Sequence, residues 1–131
     1  MAELSKKLGE MAFDGLVTDT KPQVITSGGT ILKLGTAATL KRGTLLAKSA
    51  STGKLVVFGT TADQNDTLTA DCILCDDTAV GTSADVVAPV YIAGCFDPEK
   101  LILKSGATLA ESDKDALRQK GIILKAAAAA N

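Results

Sequence analysis

Leu40-Lys41-Arg42-Gly43-Thr44-Leu45-Leu46-Ala47-Lys48, then Ser49-Ala50-Ser51-Thr52-Gly53, then Lys54-Leu55-Val56-Val57-Phe58-Gly59 is the stretch that decides the fold. Two apolar runs flank a short, small, polar gap closed by a glycine, which predicts a β-hairpin with a longer loop. No residue in it carries an obvious catalytic role. The hairpin marks a small β-domain, and the rest of the chain is read outward from it.

The composition agrees. Hydrophobic residues make up 46% of 131 residues but aromatics only 3%, so the core is built from Val, Leu, Ile and Ala. Abundant Thr and Gly favour strands and turns. The chain has no His and no Trp. Without His, the commonest general base and metal ligand are missing, which lowers the expectation of an enzyme. No apolar run approaches the ~20 residues that span a bilayer. Met1 to Glu10 has lysines without a following apolar stretch, so no secretory signal is expected.

After the hairpin, Leu68–Leu74 reads as a strand and Asp85–Phe96 as the longest one. Both faces of the latter are apolar, so it is expected at the centre of the sheet or between subunits. Pro89 cannot donate to a ladder, so one side of this strand is expected to be an edge or a bulge there. Asp97-Pro98 opens a short helix and Ser112-Asp113-Lys114-Asp115 a second, stopped by Gly121. Ile122-Ile123-Leu124 is a last strand. Thr60–Thr67 and Thr78–Ala84 read as loops.

Before the hairpin, Thr30–Leu34 is a first strand, and Ser27-Gly28-Gly29-Thr30 carries turn signals. A weak helix through Leu4, Leu8 and Met11 is interrupted by Gly9. Residues 1–26 are read as an extended arm, 27–125 as the β-domain and 126–131 as an Ala-rich tail. Phe13, Leu16, Val17, Val24 and Ile25 are the arm's apolar residues, available to bury on a partner. Val86, Val90, Tyr91 and Ile92 are candidates for a subunit interface.

Charge is segregated. Between Thr20 and Ala62 every charged residue is basic; between Asp63 and Glu99 every one is acidic. Either the two halves interleave in the fold, or they form a bipolar surface that pairs copies of the protein. The sparse basic block without interleaved aromatics disfavours nucleic acid as a partner.

Cys72-Ile73-Leu74-Cys75 has a spacing that elsewhere signals zinc or redox chemistry. Here it lies inside an apolar β-run, where residues three apart face opposite ways. Buried, reduced packing cysteines are the expectation, and no metal or cofactor. A small β-barrel ligand- or metal-binding module using Cys72 and Cys75 is the alternative.

Four passages in order resemble the head decoration proteins of tailed bacteriophages, the phage lambda head decoration protein family. They are Leu40–Lys48 with Gly53-Lys54-Leu55-Val56, then Ala70–Asp77, then Val90-Tyr91-Ile92-Ala93-Gly94-Cys95-Phe96, and the closing Ala116–Ile122. Cys72 departs from the pattern, where glycine is usual. The resemblance implies a mainly β, bent-ribbon (β-clip-like) domain with one or two short helices and an extended N-terminal arm. It implies a non-enzymatic homotrimer on the outer surface of the virion capsid, made in the host bacterial cytoplasm. Seated at threefold positions on the major capsid protein, it would cement the expanded head against internal DNA pressure. The arm residues would make the attachment, with no membrane and no nucleic acid involved. A surface-display role toward the host, through the exposed loops, is a further alternative.

Overall fold

A computed structural model describes residues 15–19, 22–62 and 64–125. The structure is mainly β, with nine strands and one α-helix among these residues. The strands are β1 (Val17–Asp19), β2 (Ile25–Ile31), β3 (Ala38–Leu40), β4 (Leu45–Ser49), β5 (Leu55–Val57), β6 (Leu68–Leu74), β7 (Thr78–Val80), β8 (Val86–Phe96) and β9 (Ile122–Leu124). The helix α1 spans Glu111–Lys120.

The hairpin forms as expected. β4 and β5 run antiparallel, with Leu46 opposite Val57 and Lys48 opposite Leu55. Its first strand begins at Leu45, because Lys41 to Gly43 turn the chain and Leu40 belongs to a different ribbon. That ribbon is β3 with β7, in register from Ala38–Val80 to Leu40–Thr78. Thr78–Val80 is therefore a strand, a correction to its reading as loop. Three residues with no clear alternation of their own acquire strand geometry by pairing with a distant partner.

β8 is central, as its two apolar faces predict. It pairs with β2 over most of its length, with β6 at Tyr91 and Val90, and near its end with β1 and, in parallel, β9. The path β8–β2–β5–β4–β6 returns to β8 and closes a small barrel. Successive residues on its walls face opposite ways. Cys72 and Leu74 enter one core, with Ile31, Leu46, Leu55 and Val90. Ile73 and Cys75 enter the other, with Leu45, Tyr91 and Phe96, which Leu117 of α1 and Ile122 of β9 cover from outside. Burial on both faces explains why these strands read as continuous apolar runs.

Pro89 sits where one side of β8 is nearly free. Its carbonyl accepts from the Cys75 N–H at 3.0 Å, and β6 has ended one residue earlier. The missing N–H therefore faces no ladder.

Ser27-Gly28-Gly29-Thr30 is not a turn. It lies inside β2, paired with Val90, Pro89, Ala88 and Val87 in turn. The reason is packing: a Cβ on Gly29 would stand 2.6 Å from Leu55 Cδ1 and 3.3 Å from both Val90 methyls. Glycine lets this strand lie directly on the barrel core. Gly29→Ala is expected to destabilise by about 1–3 kcal/mol through overpacking, read by urea unfolding; an unchanged midpoint would show that Leu55 yields freely.

Asp97 caps a single 3-10 turn, Pro98–Lys100, its side chain accepting from Glu99 N–H at 2.9 Å. α1 starts one residue before Ser112, with Ala110 as its N-cap; Asp113 reaches back to the Ala110 N–H at 3.0 Å and satisfies it in place of a capping hydroxyl. Gly121 ends the helix at φ 103°, in the left-handed region.

Candidate attachment surfaces

The arm residues separate. Leu16 is 2% exposed and belongs to the outer core. Its carbonyl accepts from Asp97 N–H at 2.9 Å, and Val17 pairs with Phe96. Thr18 donates to the Lys125 carbonyl at 3.0 Å and lies 3.3 Å from Cys95 Sγ. Val17 and Val24 pack half-buried on the same core. These three residues are held inside the folded domain, because β8 offers its far end as an edge that β1 completes. Ile25 opens β2 and is 48% exposed. Phe13, the helix predicted through Leu4, Leu8 and Met11, and the alanine tail lie outside the described residues.

The interface candidates also separate. Val90 and Tyr91 are 2% and 0% exposed and fill the two cores, so neither side chain is free for a neighbouring subunit. Val86 is half-buried against the barrel core, and Ile92 is 39% exposed. The residue passed over is Val87, at 73% exposure. Alternation along β8 held the signal: with Val86, Ala88 and Val90 inward, Val87 and Pro89 point out.

Tyr91 organises a polar network beneath the outer core. Its hydroxyl accepts from Arg42 Nη1, which also donates to the Cys75 carbonyl at 3.0 Å. The Arg42 guanidinium stands 5.4 Å from the ring centroid. Burial, ahead of the Arg42 hydrogen bond that opposes it, pushes the Tyr91 hydroxyl up to about 12. The network ties the turn before β4 to the end of β6 and to β8.

The cysteines offer no reactive centre. Cys72, Cys75 and Cys95 are buried and free, and Cys72 and Cys75 lie in different cores. Burial, reinforced at Cys72 by the neighbouring Asp71, raises both thiols and keeps them protonated. Among the described residues, no three His, Cys, Asp or Glu side chains gather to hold a metal.

The segregated charges interleave. Lys54 meets Asp85 at 2.6 Å and Lys41 meets Asp77 at 3.5 Å, each pair joining the basic to the acidic half. Asp77 also accepts from the Arg42 N–H at 2.8 Å and Asp85 from the Lys33 N–H at 2.9 Å. These contacts hold both carboxyls below the ordinary range, Asp77 chiefly through the Arg42 N–H and Asp85 chiefly through Lys54. The Lys41–Asp77 pair is exposed and the Lys54–Asp85 pair half-buried, and pairs so near the solvent add little stability. No helix among the described residues is long and apolar enough to cross a membrane.

A cavity of about 330 Å³ opens in the barrel wall, bordered by Gly28 to Thr30, Lys48, Asp71 and Ile92. Asp71 is the extra residue of a bulge between β4 and β6 and is held by Lys120 at 2.7 Å.

A sequence model of the family described as bacteriophage lambda head decoration protein D matches residues 6–123. No curated protein matches the chain.

Proposed function

The chain belongs to the bacteriophage lambda head decoration protein D family, and on that premise we propose that it cements the expanded phage head as a homotrimer on the outer capsid surface. The family is one of structural capsid proteins, and the match over residues 6–123 is the observation that carries the reading. Buried, protonated cysteines and a core of aliphatic side chains fit a protein that binds and braces rather than reacts. Reduced thiols fit synthesis in a bacterial cytoplasm.

The partner in this reading is the major capsid protein at threefold positions, and the load resisted is the pressure of packaged DNA. Attachment is assigned to the residues before β1, Phe13 among them, together with Ile25, which is exposed. Leu16, Val17 and Val24 serve the domain instead. Ordering an extended segment costs about 1–2 kcal/mol per residue, so one arm holds weakly. Three arms in a trimer raise apparent affinity by about 10²–10⁴-fold. Val87, Ile92 and Val86 supply apolar surface for contacts between subunits.

The test is a deletion of residues 1–14, which spares Leu16 and β1. Binding of the full chain and of the deletion variant to expanded capsids is measured by co-sedimentation, with oligomeric state from light scattering. The expected result is trimers in both and a loss of about 100-fold or more in affinity on deletion. Undiminished binding by a folded, trimeric deletion variant overturns the arm mechanism. Failure of the full chain to bind expanded capsids overturns the cementing role.

A further inference from the structure

We propose that the open edge of β2, with the barrel mouth beside it, is a second attachment site that takes an extended, acid-bearing segment of the capsid surface as an added strand. This rests on the decoration role proposed above and names the part of the folded domain that would share the attachment.

Among the described residues, β2 is fully paired along one side and joined at one end only along the other. β8 occupies the paired side from Ile25 to Ile31, whereas on the other side a single register pair, Ile31 with Leu55, joins β2 to β5. The orientation of the free groups follows from Pro89. Its carbonyl turns to Cys75 and away from β2, so Gly28 opposite it stands in a non-hydrogen-bonded pair. The N–H and C=O of Gly28, and by the two-residue period those of Thr26, point to the open side.

From Thr26 onward, and among the described residues, this edge carries little of the usual protection. Exposed edges are blunted by lysine, proline, bulges or a covering element. From Thr26 to Ile31 the strand reads Thr-Ser-Gly-Gly-Thr-Ile, with no charge and no proline, and its only register shift lies at its start. Residues 25–28 are exposed. An edge left in this state is suited to strand addition, in which main-chain bonds supply affinity and neighbouring pockets supply specificity.

The pocket and the charge define the occupant. The cavity of about 330 Å³ opens beside Gly28 and Gly29; Gly28 has no side chain to stand in the way of an approaching backbone, whereas the Cβ position of Gly29 is already filled by Leu55. Val90 and Cys72, buried in the barrel core, form its floor. Of its two charged lining residues, Asp71 is already matched by Lys120. Lys48 is exposed and meets no carboxylate within ion-pair distance among the described residues. The mouth therefore carries one cation that no carboxylate of the described residues meets. Its complement is an extended segment with a carboxylate placed to reach Lys48. A second copy fits less well. Pairing β2 with β2 is a twofold contact that does not close a trimer, and it brings two Lys48 side chains to one site.

The experiment measures binding of purified full-length variants to expanded capsids. Lys48→Glu reverses the cation. Gly28→Pro removes an N–H on the open side while leaving the bonds to β8. Lys104→Glu, an exposed lysine elsewhere, makes the same change in net charge. Lys48→Glu and Gly28→Pro are each expected to weaken binding by about tenfold, the scale of one charge-assisted bond or one main-chain bond lost. Lys104→Glu is expected to bind as the parent does, and all variants to keep the parent's oligomeric state. Parent-like binding by Lys48→Glu overturns the site and leaves the decoration role standing, because the parent still binds. Equal losses in Lys48→Glu and Lys104→Glu overturn it in favour of general charge, and a changed oligomeric state in Gly28→Pro overturns it in favour of contacts between copies. If Gly28→Pro fails to fold, Lys48→Glu decides alone. No binding by the parent is instead the failure of the decoration role.

Discussion

Tyr91→Ala is expected to lower unfolding free energy by about 3–5 kcal/mol, the cost of truncating a buried aromatic. At this chain length that corresponds to a fall in Tm of roughly 10–20 °C. Tyr91 is 0% exposed and its ring centre lies 5.2 Å from that of Phe96. Truncation empties the contact between β8 and the outer core, and it strips the part-buried Arg42 guanidinium of one acceptor. Tyr91→Phe separates the two effects. It keeps the ring and removes only the hydroxyl, so the expected cost is about 1–2 kcal/mol. Both are measured by urea unfolding. A cost below about 1 kcal/mol for the alanine variant would mean that the outer core does not depend on this ring.

Leu16→Ala is expected to cost about 2–5 kcal/mol in the same assay, although Leu16 stands in a stretch that reads as an arm. Its side chain is 2% exposed among the outer core, next to the strand pairing of Val17 with Phe96. Truncation through Asp19 removes that side chain and β1 together, and leaves the end of β8 with an unpaired edge. It is expected to destabilise more than Leu16→Ala alone. A capsid-binding assay on such a truncation would report unfolding as lost attachment. A Leu16→Ala midpoint equal to the parent's would place Leu16 with the arm after all.

Local pattern carried much of the fold. The β4–β5 hairpin, β6 at Leu68–Leu74, the long β8, the capped turn after Asp97 and the stop at Gly121 all follow from alternation, turn chemistry and capping. These signals lie within a few residues of what they specify. The opposed placement of Cys72 and Cys75 follows from the two-residue period. β2, β3, β7 and β1 were not legible in the same way. Gly28 and Gly29 carry turn chemistry, and they stand in a strand because β8 pairs with them and Leu55 requires a residue without Cβ. β3 and β7 each supply three residues of weak pattern and exist through each other. Ala110, which has no capping group, starts α1 because Asp113 turns back to it.

The candidate surfaces divide in the same way. Composition alone excluded histidine chemistry, and the motif order pointed to the decoration family that the match over residues 6–123 shows. It did not reveal that Val90 and Tyr91 point into two cores while Val87 points out, nor that Leu16 closes the core from within the arm. The sequence by itself determined a mainly β domain of aliphatic core, because residue types and short-range periods are local properties. Only the tertiary structure decided which apolar residues are consumed by the protomer and which edge stays open. Burial depends on strands that are far apart in the chain, and no local pattern records which of them will meet.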